Sequence, residues 1–190
     1  MAAEPKPYLT VERYLELDAI SEFRCEYENG RLYVIEAASQ NHAQIAMNLS
    51  AHLFIGLQRT ECRVFSQGRK VQAAEKITLP DLVVVCGKQQ TSFKDEVLLN
   101  PILLGEVLSP STGDYDRGGK FERYRSIPSF REYLIVYQDK ILVQQHIKQR
   151  NEDWLMRSHS DPLASIPLDS LPGLEISLAA IYENVTWPSD

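Results

Sequence analysis

Two short apolar runs stand out in the pattern of hydrophobic and polar positions. They are Leu79-Pro80-Asp81-Leu82-Val83-Val84-Val85-Cys86 and Ile102-Leu103-Leu104-Gly105-Glu106-Val107-Leu108. Each is dense in Val, Leu or Ile and carries one carboxylate, which predicts strands buried on both faces. Before them, Thr10 to Ala19 predicts a short amphipathic helix capped by Thr10, with Val11, Tyr14, Leu15 and Ala19 inward. Residues 24–28 and 31–36 flank Asn29-Gly30, a hairpin signal. From Ser39 or Gln40 to about Leu57, the step Ile45, Leu49, Leu53, Leu57 predicts a long helix. Residues 61–66 and 69–74 predict two strands around Gln67-Gly68, read as another hairpin-like turn.

Between the two apolar runs lies a polar loop, residues 87–100, whose length suits a functional or mobile segment contacting a substrate or a partner subunit. After them, Ser109 to Gly113 reads as a turn, and a helical pattern from about Asp114 to Ile127 is stopped by Pro128. Strands follow at 132–137, at 141–147 across Asp139-Lys140, and at 152–158. A tail punctuated by Pro162, Pro167, Pro172 and Gly173 ends in a short helix around Leu178 to Tyr182. This order predicts an α+β (mixed α/β) fold: a central mixed sheet flanked by helices. The length of 190 residues fits one domain with a sizeable core.

A lone acid on a buried strand is costly unless something pairs with it. If the two runs pair antiparallel, facing residue numbers share a common sum. Val83 then lies near Leu104, Val85 near Ile102, and Asp81 near Glu106, on one face of the sheet. Two carboxylates ~4 Å apart repel by about 4 kcal/mol at an intermediate effective dielectric. A cation or a shared proton removes the conflict, and hard oxygen ligands favour Mg²⁺, Mn²⁺ or Ca²⁺. In the helix that follows, Asp116, Lys120 and Tyr124 share one face at i, i+4, i+8. Lys120 lies close enough to the helix start to reach back toward the acids. Two acids and a lysine beside a metal suit phosphodiester hydrolysis, in which the metal activates water and the lysine supports hydroxide or phosphate charge.

Composition sharpens this in two places. The net charge is −6 and the pI about 5.3. DNA binding must therefore rest on a local patch rather than on overall charge. The most basic stretch holds Arg117, Lys120, Arg123, Arg125 and Arg131. It reads as a solvated helix face or as a phosphate-binding ridge beside the metal site. The three cysteines, Cys25, Cys62 and Cys86, lack metal-ligand spacing and sit in strand-like runs. They are expected to be reduced, as in a cytoplasmic protein. No apolar run is long enough to span a membrane.

These residues carry a resemblance. Pro80-Asp81, then Glu106 to Thr112, then Asp116, Lys120 and Tyr124, then Arg131-Glu132-Tyr133 resemble the Uma family of "putative restriction endonucleases", which is common in cyanobacteria. That family belongs to the PD-(D/E)XK nuclease superfamily. The likeness extends over roughly residues 9 to 182 and includes Cys25 to Gly30 and Asn41-His42-Ala43. It departs from the wider superfamily where the usual lysine, two residues after the second acid, is replaced by Leu108. The Uma-like pattern draws its lysine from the following helix, here Lys120.

The resemblance implies a Mg²⁺-dependent DNA endonuclease, with Mn²⁺ as a substitute. Asp81 and Glu106 would ligate metal, with the Val107 carbonyl a further ligand, and Lys120 would orient or activate water. Glu26 reads from spacing alone as a solvent-facing strand residue, and the resemblance makes it a third acid. His42 reads either as a structural residue of a helix start or, through the resemblance, as part of the site. Arg117, Arg123 and Tyr124 would meet phosphates; Tyr124 could instead hold Lys120, and it fits a core aromatic on the helix face better than either. The partner would be DNA, and cleavage of both strands suits a homodimer. The competing reading is a catalytically inactive nuclease-like scaffold that binds DNA or a protein partner.

Overall fold

The structure, a computed structural model, describes residues 8–108 and 116–187, without the side chains of Asp116 and Arg117. The expected turn Ser109 to Gly113 lies outside the described residues. The protein has the predicted α+β fold. Its large mixed sheet orders β12 (Trp154–His159), β11 (Val143–Lys148), β10 (Glu132–Tyr137), β9 (Leu103–Leu108), β6 (Leu82–Cys86) and β3 (Cys62–Ser66). Only β9 and β10 pair in parallel in this sheet, so a crossover must join them. That crossover contains helix α3, a π-helical turn Asp116–Lys120 continued by an α-helical turn Phe121–Tyr124.

The period of two in β6 and β9 explains the layering. Leu82, Val84, Leu103 and Val107 face helix α2 (Gln40–Gly56), which contributes Ile45, Leu49 and Leu53. Val83, Val85, Leu104 and Leu108 face Tyr124, Ile127 and Phe130 on the α3 side. Gly105 permits the close fit of α2. A Cβ there would stand 3.1 Å from the Leu82 Cβ and 3.6 Å from the Leu49 Cδ2. The β6–β9 register pairs Leu82 with Gly105, Val83 with Leu104 and Val84 with Leu103, which is the predicted common sum. A short helix α4 (Leu178–Ile181) closes the α2 side.

A second sheet orders β2 (Arg31–Val34), β1 (Cys25–Glu28), β5 (Lys76–Thr78), β4 (Lys70–Ala73), β8 (Val97–Leu98) and β7 (Thr91–Ser92). The β1–β2 turn is as expected, with Asn29 and Gly30 at φ of 47° and 78°. Helix α1 (Val11–Ile20), capped by Thr10, covers one face of this sheet. There Tyr14 and Leu15 meet Cys25, Tyr27 and Ile77. The other face carries a polar row that the sequence pattern did not reveal. The loop 87–100 is partly ordered as β7 and β8, and a short pair, β13 (Ser165–Pro167) with β14 (Glu175–Ser177), packs near the tail.

Two expectations are corrected. The strands on either side of Gln67-Gly68 do not form a hairpin. β3 joins the large sheet through β6, and β4 joins the small one through β5 and β8. The chain therefore changes sheets at this turn, and the apolar pattern of each strand fits either partner equally well. Nor are all three cysteines reduced. Cys62 and Cys86 lie directly opposite on β3 and β6 and form a disulfide, while Cys25 is free and buried.

Candidate active site

The site forms where the polar face of the small sheet meets α3 and the end of β9. On β1 and β5, Glu28 lies opposite Lys76 and Tyr27 opposite Ile77, so Glu26, Glu28, Lys76 and Thr78 point to one side. The Lys76 ammonium sits 2.8 Å from Glu26 Oε2 and 4.0 Å from Glu28 Oε2. Lys120, on α3, reaches Glu106 Oε1 at 3.1 Å and Glu26 Oε1 at 3.3 Å. One turn on, the Tyr124 hydroxyl donates to Glu106 Oε1 at 2.8 Å and lies 3.2 Å from Thr78 Oγ1. The i, i+4 face read from the sequence thus points both residues at one carboxylate. Arg123 pairs with Glu28 and donates to the Gly119 carbonyl at 3.0 Å.

Burial makes this network consequential. Glu26, Glu106, Lys76 and Lys120 are 5%, 3%, 3% and 8% exposed. Ionised groups so enclosed persist only with opposite charge beside them. Burial alone would push the Glu26 carboxyl up, but Lys120 and Lys76 together outweigh it and hold the group below its ordinary range. Burial, then the charges of Glu106 and Glu26, push the Tyr124 hydroxyl well above its ordinary range. Tyr124 therefore stays a donor to Glu106 at any physiological pH.

Asp81 stands just before β6, one position beyond the last paired residue. Its Oδ2 accepts the Val107 N–H at 2.9 Å and lies 3.1 Å from His42 Nε2. His42 is in the first turn of α2, behind its cap Ser39, whose hydroxyl accepts the His42 N–H at 3.1 Å. The His42 Nδ1 is buried and has no hydrogen-bond partner among the described residues. Asp81 and Glu106 accordingly flank one strand end, with Asp81 tied to the backbone of the residue after Glu106.

The position two residues after Glu106, Leu108, is buried in the apolar layer below α3, and the lysine beside Glu106 is Lys120. Tyr124 is fully enclosed. The side chains of Arg117 and Asp116 lie outside the described residues. Sequence reasoning missed Lys76, Glu28 and Thr78. The segment Ala74-Glu75-Lys76 has no apolar period, and its importance comes only from pairing with β1, about fifty residues earlier in the chain.

Among the described residues, no three His, Cys, Asp or Glu side chains form a ready metal cage. Mg²⁺ is commonly held by one or two carboxylates, water and substrate phosphates rather than by an all-protein cage. The oxygens of Asp81 and Glu106 are ligands of the kind such a site uses, and His42, whose Nε2 lies 3.1 Å from Asp81, has in its Nδ1 a buried nitrogen without a hydrogen-bond partner among the described residues.

A family model described as "Putative restriction endonuclease", Uma2, matches residues 11–179. The chain is 32% identical over 187 residues to the uncharacterized protein slr1290 of Synechocystis sp., covering 96% of each. It is 30% identical over 153 residues to a second uncharacterized Synechocystis protein, sll1609, covering 78% of this chain and 85% of that one. In structure it resembles a crystal structure described as "a putative nuclease belonging to DUF820" from Anabaena variabilis. The TM-score is 0.73 at 17% identity, over 92% of this chain and 97% of that one.

Proposed function

Because the chain belongs to the Uma2 family of restriction endonuclease-like proteins, we propose that it is a metal-dependent DNA endonuclease hydrolysing phosphodiester bonds. The observation that carries this reading is Lys120, buried between Glu106 and Glu26 at the strand end where His42 holds Asp81. Asp81 and Glu106 would hold Mg²⁺ or Mn²⁺, with the Val107 carbonyl as a further ligand. The ion would polarise a phosphate oxygen and lower the pKa of a bound water.

The chain's own residues set the stage for that chemistry. Glu26, with Lys76 on one oxygen and Lys120 on the other, fixes the Lys120 ammonium at the reacting centre. From there Lys120 can orient water or offset charge growing on the phosphate. Tyr124 fixes the Glu106 rotamer through its hydroxyl. His42 fixes Asp81 and keeps a second ring nitrogen for water or metal. Arg117 and Arg123 are assigned to backbone phosphates, which position a duplex without reading sequence. The partner is DNA, and the working unit is a homodimer with one site per strand.

The inactive-scaffold reading draws on one observation: the protein already supplies cations to Glu26, Glu28 and Glu106. Incubating supercoiled plasmid and single-stranded DNA with the protein and Mn²⁺ or Mg²⁺ separates the two. Nicking is expected from the wild type, with a loss of at least roughly a hundredfold in Asp81→Asn, Glu106→Gln and Lys120→Met. An inert wild type that still binds DNA would establish the scaffold, and undiminished cleavage by the variants would overturn the site.

A further inference from the structure

The first turn of helix α2 carries His42 but no buried apolar side chain, since the buried residues of the helix begin at Ile45. Polar contacts place this turn instead. Asn41 donates to the Thr186 carbonyl at 2.8 Å and accepts the Thr186 N–H at 3.2 Å, which ties it to the tail. The cap, Ser39, accepts the His42 N–H at 3.1 Å and donates its own hydroxyl proton to Gln138 Oε1. Gln138 follows β10 directly, and β10 ends level with β9, where Tyr137 lies opposite Leu108. The Gln138 Nε2 donates to the Leu108 carbonyl at 2.7 Å. A carbonyl only accepts, so the amide nitrogen must face Leu108 and the amide oxygen Ser39. The hydroxyl of Ser39 is thereby given one direction: its proton goes to Gln138, and its lone pair takes the His42 N–H.

The geometry points to Gln138 as a positioning residue, one that holds His42 and Asp81 against the end of β9; its use to a metal rests on the reading proposed above. The two hydrogen bonds of Gln138 close a ring. From Leu108 the chain runs back to Val107, whose N–H donates to Asp81 Oδ2 at 2.9 Å, and the same oxygen lies 3.1 Å from His42 Nε2. The ring thus passes through Asp81, His42, Ser39, Gln138, Leu108 and Val107. It joins the start of α2, the start of β6 and the end of β9, the three elements that bring His42, Asp81 and Glu106 together. Asp81 stands outside the β6–β9 ladder, so strand pairing alone does not fix how its carboxylate sits beside Glu106. The ring supplies that constraint. Its bonds from the His42 N–H through Ser39 and Gln138 to the Leu108 carbonyl all run donor to acceptor in one sense, so each polarises the next. With the Gln138 link cut, the helix start can drift and carry Asp81 away from Val107. Groups standing behind the ligands of a metal site are typically worth about ten- to a hundredfold in metal affinity or activity.

Two readouts on the full chain test this without cleavage or DNA. The first is amide hydrogen exchange of the metal-free protein. Gln138→Met keeps the length of the side chain and loses both hydrogen bonds, and Ser39→Ala breaks the same ring at a point that touches neither Val107 nor Asp81. In both variants the Val107 N–H is expected to exchange about tenfold faster or more, with the amide of Leu134 in the middle of β10 unchanged. A Val107 rate that Ser39→Ala leaves unaltered overturns the inference, whatever a metal does. The second readout is the affinity for Mn²⁺ alone, followed by water-proton relaxation. Gln138→Met and Ser39→Ala are each expected to weaken it about tenfold while the circular dichroism spectrum stays native, and Ser39→Thr, which keeps the hydroxyl, to bind like the wild type. The double variant should bind no more weakly than the weaker single one, because one broken link already opens the ring. Losses that multiply, or a Gln138→Met protein that binds Mn²⁺ like the wild type, overturn the inference. A wild type that ignores Mn²⁺ while its Val107 amide answers to both substitutions leaves the ring standing and removes the metal from the nuclease reading, so the two failures are told apart.

Discussion

Replacing Lys120 by Met tests the charge network directly. The side chain keeps its length and loses its charge, so Glu106 and Glu26 lose contacts at 3.1 and 3.3 Å. Removing one partner of a buried ion pair costs about 3–5 kcal/mol, because the other charge is left in a low dielectric. Here the loss is cushioned. Glu26 keeps Lys76 at 2.8 Å and the Leu79 N–H at 3.3 Å, and Glu106 keeps the Tyr124 hydroxyl at 2.8 Å. The expected cost is therefore at the low end, about 3 kcal/mol. For a chain of this size that lowers Tm by roughly 6–12 °C. The assay is thermal and urea unfolding of the wild type, Lys120→Met, Glu106→Gln and the double variant. The double variant should recover most of the loss, since it removes both members of the pair. A Lys120→Met protein as stable as the wild type, within about 0.5 kcal/mol, would show that Lys120 does not neutralise buried acid, and the proposed role would fall with it.

Three further outcomes are expected. Mn²⁺ at about a hundred times its dissociation constant should stabilise the wild type by roughly 2.7 kcal/mol and leave Asp81→Asn unmoved; equal shifts in both would place the ion elsewhere. The Glu26 carboxyl is held below its ordinary value of 4.5, so its contribution to stability is present above that pH and lost as pH falls through the lower, folded value. The stability difference between wild type and Glu26→Gln should accordingly shrink on acidification below about pH 4.5, and a difference that grows there contradicts the ion pairs. Reducing the Cys62–Cys86 disulfide, which closes a separation of 24 residues, should cost about 3 kcal/mol on loop-entropy grounds; a Tm indifferent to reductant would refute that constraint.

Much of the architecture is written in local pattern. The apolar runs at 82–86 and 103–108, the Asn29-Gly30 turn, the stripe of α2 and the common sum that pairs Val83 with Leu104 all follow from side-chain period and turn chemistry within a few residues. The same reading brings Asp81 beside the Glu106 end of β9 and turns Lys120 and Tyr124 to one side of a helix, because spacing along a regular element fixes direction. What the sequence leaves open is which element meets which across long separations. β3 and β4 have patterns that suit either sheet, and only packing sends them apart. Glu26 looks like a solvated strand residue until β5 brings Lys76 within 2.8 Å and α3 brings Lys120 from the other side. A buried charge is tolerable only in the company of its opposite, and that company is assembled from β1, β5, β9 and α3, whose closeness no local pattern encodes.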